Sequence, residues 1–127
     1  MNNESIEKRL EKIKIEDIIW ILYLIIIILS FIANSIERNY FIKNDIKDKK
    51  TYQNLMIFIF TILCLVYAYF TYDNYKDIKE LKSYDSNTKI EFTYISFIAT
   101  LLVLISGLLF LYIAINDENI ETEIAFN

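Results

Sequence analysis

Charged residues are not spread evenly along this chain. They fall in four blocks, residues 1–17, 37–50, 73–91 and 117–127, and leave three stretches, 18–36, 51–72 and 92–116, with no Asp, Glu, Lys or Arg. The uncharged stretches are 19, 22 and 25 residues long. At about 1.5 Å of rise per residue, each one, coiled as a helix, covers the roughly 30 Å hydrocarbon core of a bilayer, the shortest only just. A soluble three-helix bundle would instead repeat its apolar positions along one face. "IIWILYLIIIILSFIA", residues 18–33, is apolar around its whole circumference apart from Ser30 and the Tyr23 hydroxyl. In water such a rod would expose a large apolar surface, whereas in lipid it needs no cover. At roughly −0.3 to −0.6 kcal/mol for each central Leu, Ile, Phe or Val, the third stretch gains several kcal/mol on insertion. Membrane β-strands would alternate apolar and polar positions, and the unbroken Ile and Leu runs do not. The pattern therefore predicts an all-α integral membrane bundle of three transmembrane helices in a single membrane domain, residues 1–127.

The polar blocks refine that picture. In "SIEKRLEKIKIED" Ile6, Leu10 and Ile13 share one helical stripe among charges, which predicts a short amphipathic helical extension running into the first span. The Asn44-Asp45 pair signals a turn, and Asp48 is the expected N-cap of the second helix. Residues 83–87 break the second helix, and Thr88 with Glu91 has the capping-box spacing that starts the third. With no Pro and one Gly, the helices have none of the usual causes of kinks.

Three groups of residues stand out within the spans. Small or polar residues, Thr61, Cys64, Ala68 and Thr71, recur along the second span, with Asn54 on the same line. Ser96, Thr100, Gly107 and Ala114 do so along the third. Small residues let helix backbones approach closely in lipid, so these two faces are the candidate helix-packing interface. Asn34, Glu37 and Arg38 form a polar cluster at the end of the first span, suited to a lipid headgroup, a partner helix or one another. Trp20, Tyr23, Tyr67, Tyr72 and Tyr112 lie near span ends, where amphipathic aromatics anchor at the headgroup level.

Sidedness follows from Lys and Arg. Three spans place residues 1–17 with 73–91 on one side, carrying eight of these residues, and 37–50 with the tail on the other, carrying five. The acidic tail 117–127 has none, so it meets little resistance to export. The positive-inside rule thus favours a cytoplasmic N-terminus and an external C-terminus in the cell membrane. Net charge by side is a tie at −2 each and does not enter that rule. "ANS" at residues 33–35 has the small-x-small pattern of a signal-peptidase site, and cleavage there would leave two spans. The apolar run before it exceeds the usual signal length, so an anchored first span is expected.

Composition removes several classes of function. The chain is 55% apolar and 24% charged, with no His and one Cys. The commonest acid-base group and metal ligand is therefore missing, and no disulfide or paired-Cys metal site can form within the chain. One glycine cannot build a phosphate-binding loop. An acidic chain with interleaved bases is not expected to bind nucleic acid. No span contains the ionisable residue that ion or proton transport normally needs. Neither an enzyme nor a cofactor-binding protein is expected. The expected partners are the lipid bilayer and either another membrane protein or a second copy.

"ERNYFIKND", "YDNYKD" and the closing "EIAFN" give the chain a general resemblance to small uncharacterised three-span membrane proteins of bacteria. It covers most of the chain, and it implies a topology and no activity. The sequence thus points to a small multi-pass protein acting through helix-helix contacts as an accessory subunit, scaffold or immunity-type protein. The alternative is a holin-like or channel-forming oligomer, with Thr61, Ser96, Thr100 and Ser106 lining the pore.

Overall fold

The computed structural model describes residues 3–122, and "EIAFN" at the C-terminus lies outside them. Three helices make up almost all of it: α1 Asn3–Lys43, α2 Ile46–Lys79 and α3 Asn87–Asn116, with no strand among the described residues. All three are long and apolar enough to cross a membrane, as a multi-pass membrane protein requires. At 41, 34 and 30 residues they exceed what a bilayer core needs. α1 alone is about 60 Å long, so roughly half of it projects beyond the hydrocarbon. That projection includes the amphipathic N-terminal extension, which joins the first span without a break.

The block 37–50, expected to be mostly loop, is mostly helix. α1 runs on to Lys43, and the connection is Asn44 and Asp45 alone. Asn44 adopts the left-handed conformation, φ 54°, and its N–H donates to the Tyr40 carbonyl at 2.7 Å. Asn tolerates that conformation better than most residues, so it can end a helix as Gly commonly does. Asp45, not Asp48, is the N-cap of α2. Its carboxylate accepts from the Lys47 N–H at 2.9 Å, leaving Asp48 inside the first turn.

A similar shift occurs before α3. Ser86 is the N-cap, its hydroxyl accepting from the Lys89 N–H at 3.1 Å, so the helix begins before the expected Thr88–Glu91 box. Asp85 prepares that start. Its carboxylate accepts from the Lys82 N–H at 2.8 Å and pairs with the Lys89 ammonium at 3.2 Å. The backbone hydrogen bond from Lys82 is the largest of the influences that hold the Asp85 carboxyl below its usual value.

α2 is the hub. It packs against both neighbours, and α1 and α3 nowhere bring described Cα atoms within 8 Å of each other. The core contains Ile26 and Ala33 of α1, Tyr52, Met56, Ile59 and Phe60 of α2, and Ala114 of α3. It therefore occupies the half of the bundle nearest the α1–α2 connection. Phe60 is its most buried large side chain and meets Phe110 with ring centroids 5.4 Å apart. Beyond α3 the chain turns back, and Ile120 packs against this core with a φ of 54°. A β-branched residue is strained in that conformation, and apolar burial is what offsets the cost.

Candidate functional site

Polar side chains close the α2–α3 seam near each membrane face. At one end the Gln53 amide donates to the Ala114 and Ile115 carbonyls, both at 3.2 Å. Those carbonyls belong to the last turn of α3, where the helix itself supplies no donors. At the other end the Asn74 amide donates to the Thr100 hydroxyl at 3.2 Å and reaches the Ser96 carbonyl at 3.5 Å. Between them Gly107 faces Cys64 so closely that an added Cβ would lie 3.2 Å from the sulfur.

The candidate packing residues divide accordingly. Cys64 and Ala114 are buried, and Gly107, Thr100 and Thr71 are half-buried. Ser96 is exposed and contributes its carbonyl. Thr61 and Ala68 are exposed, as is Asn54. The small-residue line on α2 runs along the edge of its packed surface, because the centre of that surface is filled by Tyr52, Met56, Ile59 and Phe60. Gln53 and Asn74 escaped the sequence reasoning. The available signal was an amide residue close to each end of the second uncharged stretch.

The polar cluster on α1 is less concentrated. Asn34 and Glu37 are half-buried and Arg38 is exposed. Among the aromatics, Trp20 and Tyr23 meet edge to face at 5.6 Å, while Tyr72 and Tyr112 are exposed. The Tyr23 hydroxyl of α1 is buried and faces Tyr67 of α2.

A wide concavity lies at the end of the apolar spans, between the N-terminal extension of α1 and the end of α2. It has a volume of about 850 Å³, and both charge signs line it. Lys12 crosses it, with its ammonium 3.4 Å from Asp73 and 3.2 Å from Asp77. Partial burial pulls the Lys12 pKa down. The Asp77 hydrogen bond and the attraction of Asp73 outweigh that and leave it above the usual lysine value. Arg9, Glu16, Tyr69, Tyr72 and Lys76 also line the cleft, and the Lys76 ammonium sits 5.7 Å from the centre of the Tyr72 ring.

Among the described residues no three of His, Cys, Asp and Glu converge as metal ligands. Comparison with known proteins finds no matching family model, no matching curated protein and no matching solved structure.

Proposed function

We propose that this chain is a multi-pass integral membrane protein that works through lateral helix-helix contacts, as an accessory subunit, scaffold or immunity-type partner. The observation that carries the reading is how little apolar surface the fold uses internally. In the most apolar window of α1 only 11% is buried, and in that of α3 only 6%, against 28% for the central α2. The two outer helices therefore offer long, uninterrupted flanks to lipid or to another transmembrane helix. Close packing, not the hydrophobic effect, would drive such an association. The reading is non-enzymatic, since the chain has no His and its one Cys is buried. It places the N-terminus in the cytoplasm and the C-terminal tail outside.

Thr100 weighs against the pore alternative. Its hydroxyl accepts from Asn74 and lies within hydrogen-bond reach of the Ser96 and Phe97 carbonyls, so it belongs to the α2–α3 seam and not to a free lining. Purification of the full chain in mild detergent tests the proposal. A defined heterologous membrane protein is expected to co-purify in fixed ratio. Large homo-oligomers, together with ion leakage on expression, would overturn this reading in favour of the pore.

A further inference from the structure

The exposed surface of α2 is one narrow face. Its positions recur every three or four residues, from Lys50 through Phe58 and Leu65 to Tyr72 and Lys76, and both neighbouring helices leave them uncovered. No exposed residue from Lys47 to Lys79 is acidic, since Asp48, Asp73 and Asp77 are half-buried. The face therefore carries Lys50 at one membrane border and Lys76 one turn beyond the other, with Lys47 and Lys79 farther out. Among the described residues none of these four lysines makes an ion pair, and Lys76 and Lys79 lie over the Tyr72 and Tyr75 rings instead.

α3 presents the opposite charge over the same span. Its outward face, Glu91, Ile95, Ile98, Leu102, Ile105 and Leu109, repeats at the same intervals, and all six are exposed. Glu91 stands at one border and Glu118 just past the other, both exposed, while Lys89, the one base of the helix, pairs with Asp85. Lys50 and Lys76 are 26 residues apart and Glu91 and Glu118 are 27, so at about 1.5 Å per residue each pair is separated by roughly 40 Å. Two copies inserted in the same orientation set α2 of one antiparallel to α3 of the other. Lys76 then comes level with Glu91, and Lys50 with Glu118. Other pairings fail on charge: α2 on α2 sets lysine against lysine, and α3 on α3 sets glutamate against glutamate. α1 fits at one end alone, because Glu16 and Asp17 are exposed at one border and Arg38 at the other.

We propose that copies of this chain associate through this contact, the outward face of α2 in one copy against the outward face of α3 in the next. The two faces differ, so the contact is heterologous and copies add head to tail in a ring or a row. It rests on the lateral-contact reading above, taken in its scaffold form.

The test uses the full chain with Cys64→Ala in phosphatidylcholine vesicles, as an equal mixture of two single-cysteine variants, Leu65→Cys on α2 and Leu102→Cys on α3. Each position lies 11 residues from the charge at the same border, Lys76 or Glu91, so the two meet at one depth. Mild oxidation should give the mixed disulfide at about tenfold the yield of either same-site disulfide, because pairing of like faces is penalised by charge. Lys50→Glu with Lys76→Glu in the Leu65→Cys chain should suppress the mixed product. Adding Glu91→Lys with Glu118→Lys to the Leu102→Cys chain should restore it, which mere disruption of the fold would not. Equal yields of the three disulfides overturn the proposal, as does a yield that charge reversal leaves unchanged. Absence of any disulfide overturns it in favour of lipid on this face. Should the reversed chains fail to insert, the natural faces' preference for the mixed product still decides. A chain that stays in solution without detergent overturns the membrane reading instead, and ion leakage from cross-linked vesicles overturns the accessory reading while the contact stands.

Discussion

At the scale of single residues, the α2–α3 seam is tightest at Gly107. A Cβ there would approach the Cys64 sulfur at 3.2 Å, and the leucine side chain would have to displace it. Gly107→Leu is therefore expected to cost about 1 to 3 kcal/mol, the usual range for overpacking, measured as reduced stability to denaturant in detergent micelles. Ala68→Leu is the contrasting case. Ala68 is exposed, so its replacement should stay within about 0.5 kcal/mol of the natural chain. Asn74→Ala removes the amide that reaches Thr100, and interhelical hydrogen bonds of this kind average about 0.6 kcal/mol. Sequence spacing alone could not separate Gly107 from Ala68. Both are small residues at helical intervals, but a stripe of small residues marks where helices can approach. It does not say that bulkier neighbours will leave room for the contact. On α2, Phe60 and Met56 take the centre of the packed surface and push Ala68 and Thr61 off its edge.

At the scale of elements, the three uncharged stretches were legible because each is long and mostly apolar. The ends of the helices were not. Charge marks where the hydrocarbon stops, and a helix need not stop there: α1 continues through Glu37, Arg38 and Lys43, and α2 begins before Lys47. Its true start lies in the conformation of Asn44, which composition does not reveal. The end of α3 allows a test by pH. Asp117 accepts from the Glu121 N–H at 3.1 Å and the Thr122 N–H at 2.7 Å. Partial burial raises its pKa, but these backbone hydrogen bonds outweigh that and leave it below the ordinary carboxylate value of 3.8. A lowered folded value means that the contribution is present above pH 3.8 and is lost as pH falls through the lower folded value. The Thr122 amide resonance should follow that single titration, and in Asp117→Asn it should not titrate. The carboxylate is only partly buried, so screening keeps the effect on stability well under about 1 kcal/mol per bond. Lys12 behaves in the opposite sense. Its raised value keeps the bridge to α2 intact through neutral pH and releases it only above 10.5.

At the scale of the whole molecule, three spans fix which segments share a side but not which side is inside. The first segment and the α2–α3 connection must lie together, and the α1–α2 turn must lie with the tail. The structure ties each group together: Lys12 joins α1 to Asp73 and Asp77, and across the bundle the Lys49 ammonium donates to the Asn119 side chain at 3.0 Å. The choice of side rests on Lys and Arg, eight against five, with the acidic tail as the segment most easily exported. In a Cys64→Ala background, single cysteines introduced as Ser5→Cys, Ser83→Cys and Asn119→Cys report each location to a membrane-impermeant maleimide. Asn119→Cys should label on intact cells, while Ser5→Cys and Ser83→Cys should label only after permeabilisation. The reverse pattern would keep the three spans and invert the protein. Opposite sides for Ser5→Cys and Ser83→Cys would contradict the three-span fold itself, because the helical hairpin formed by α1 and α2 returns the chain to the side on which it began.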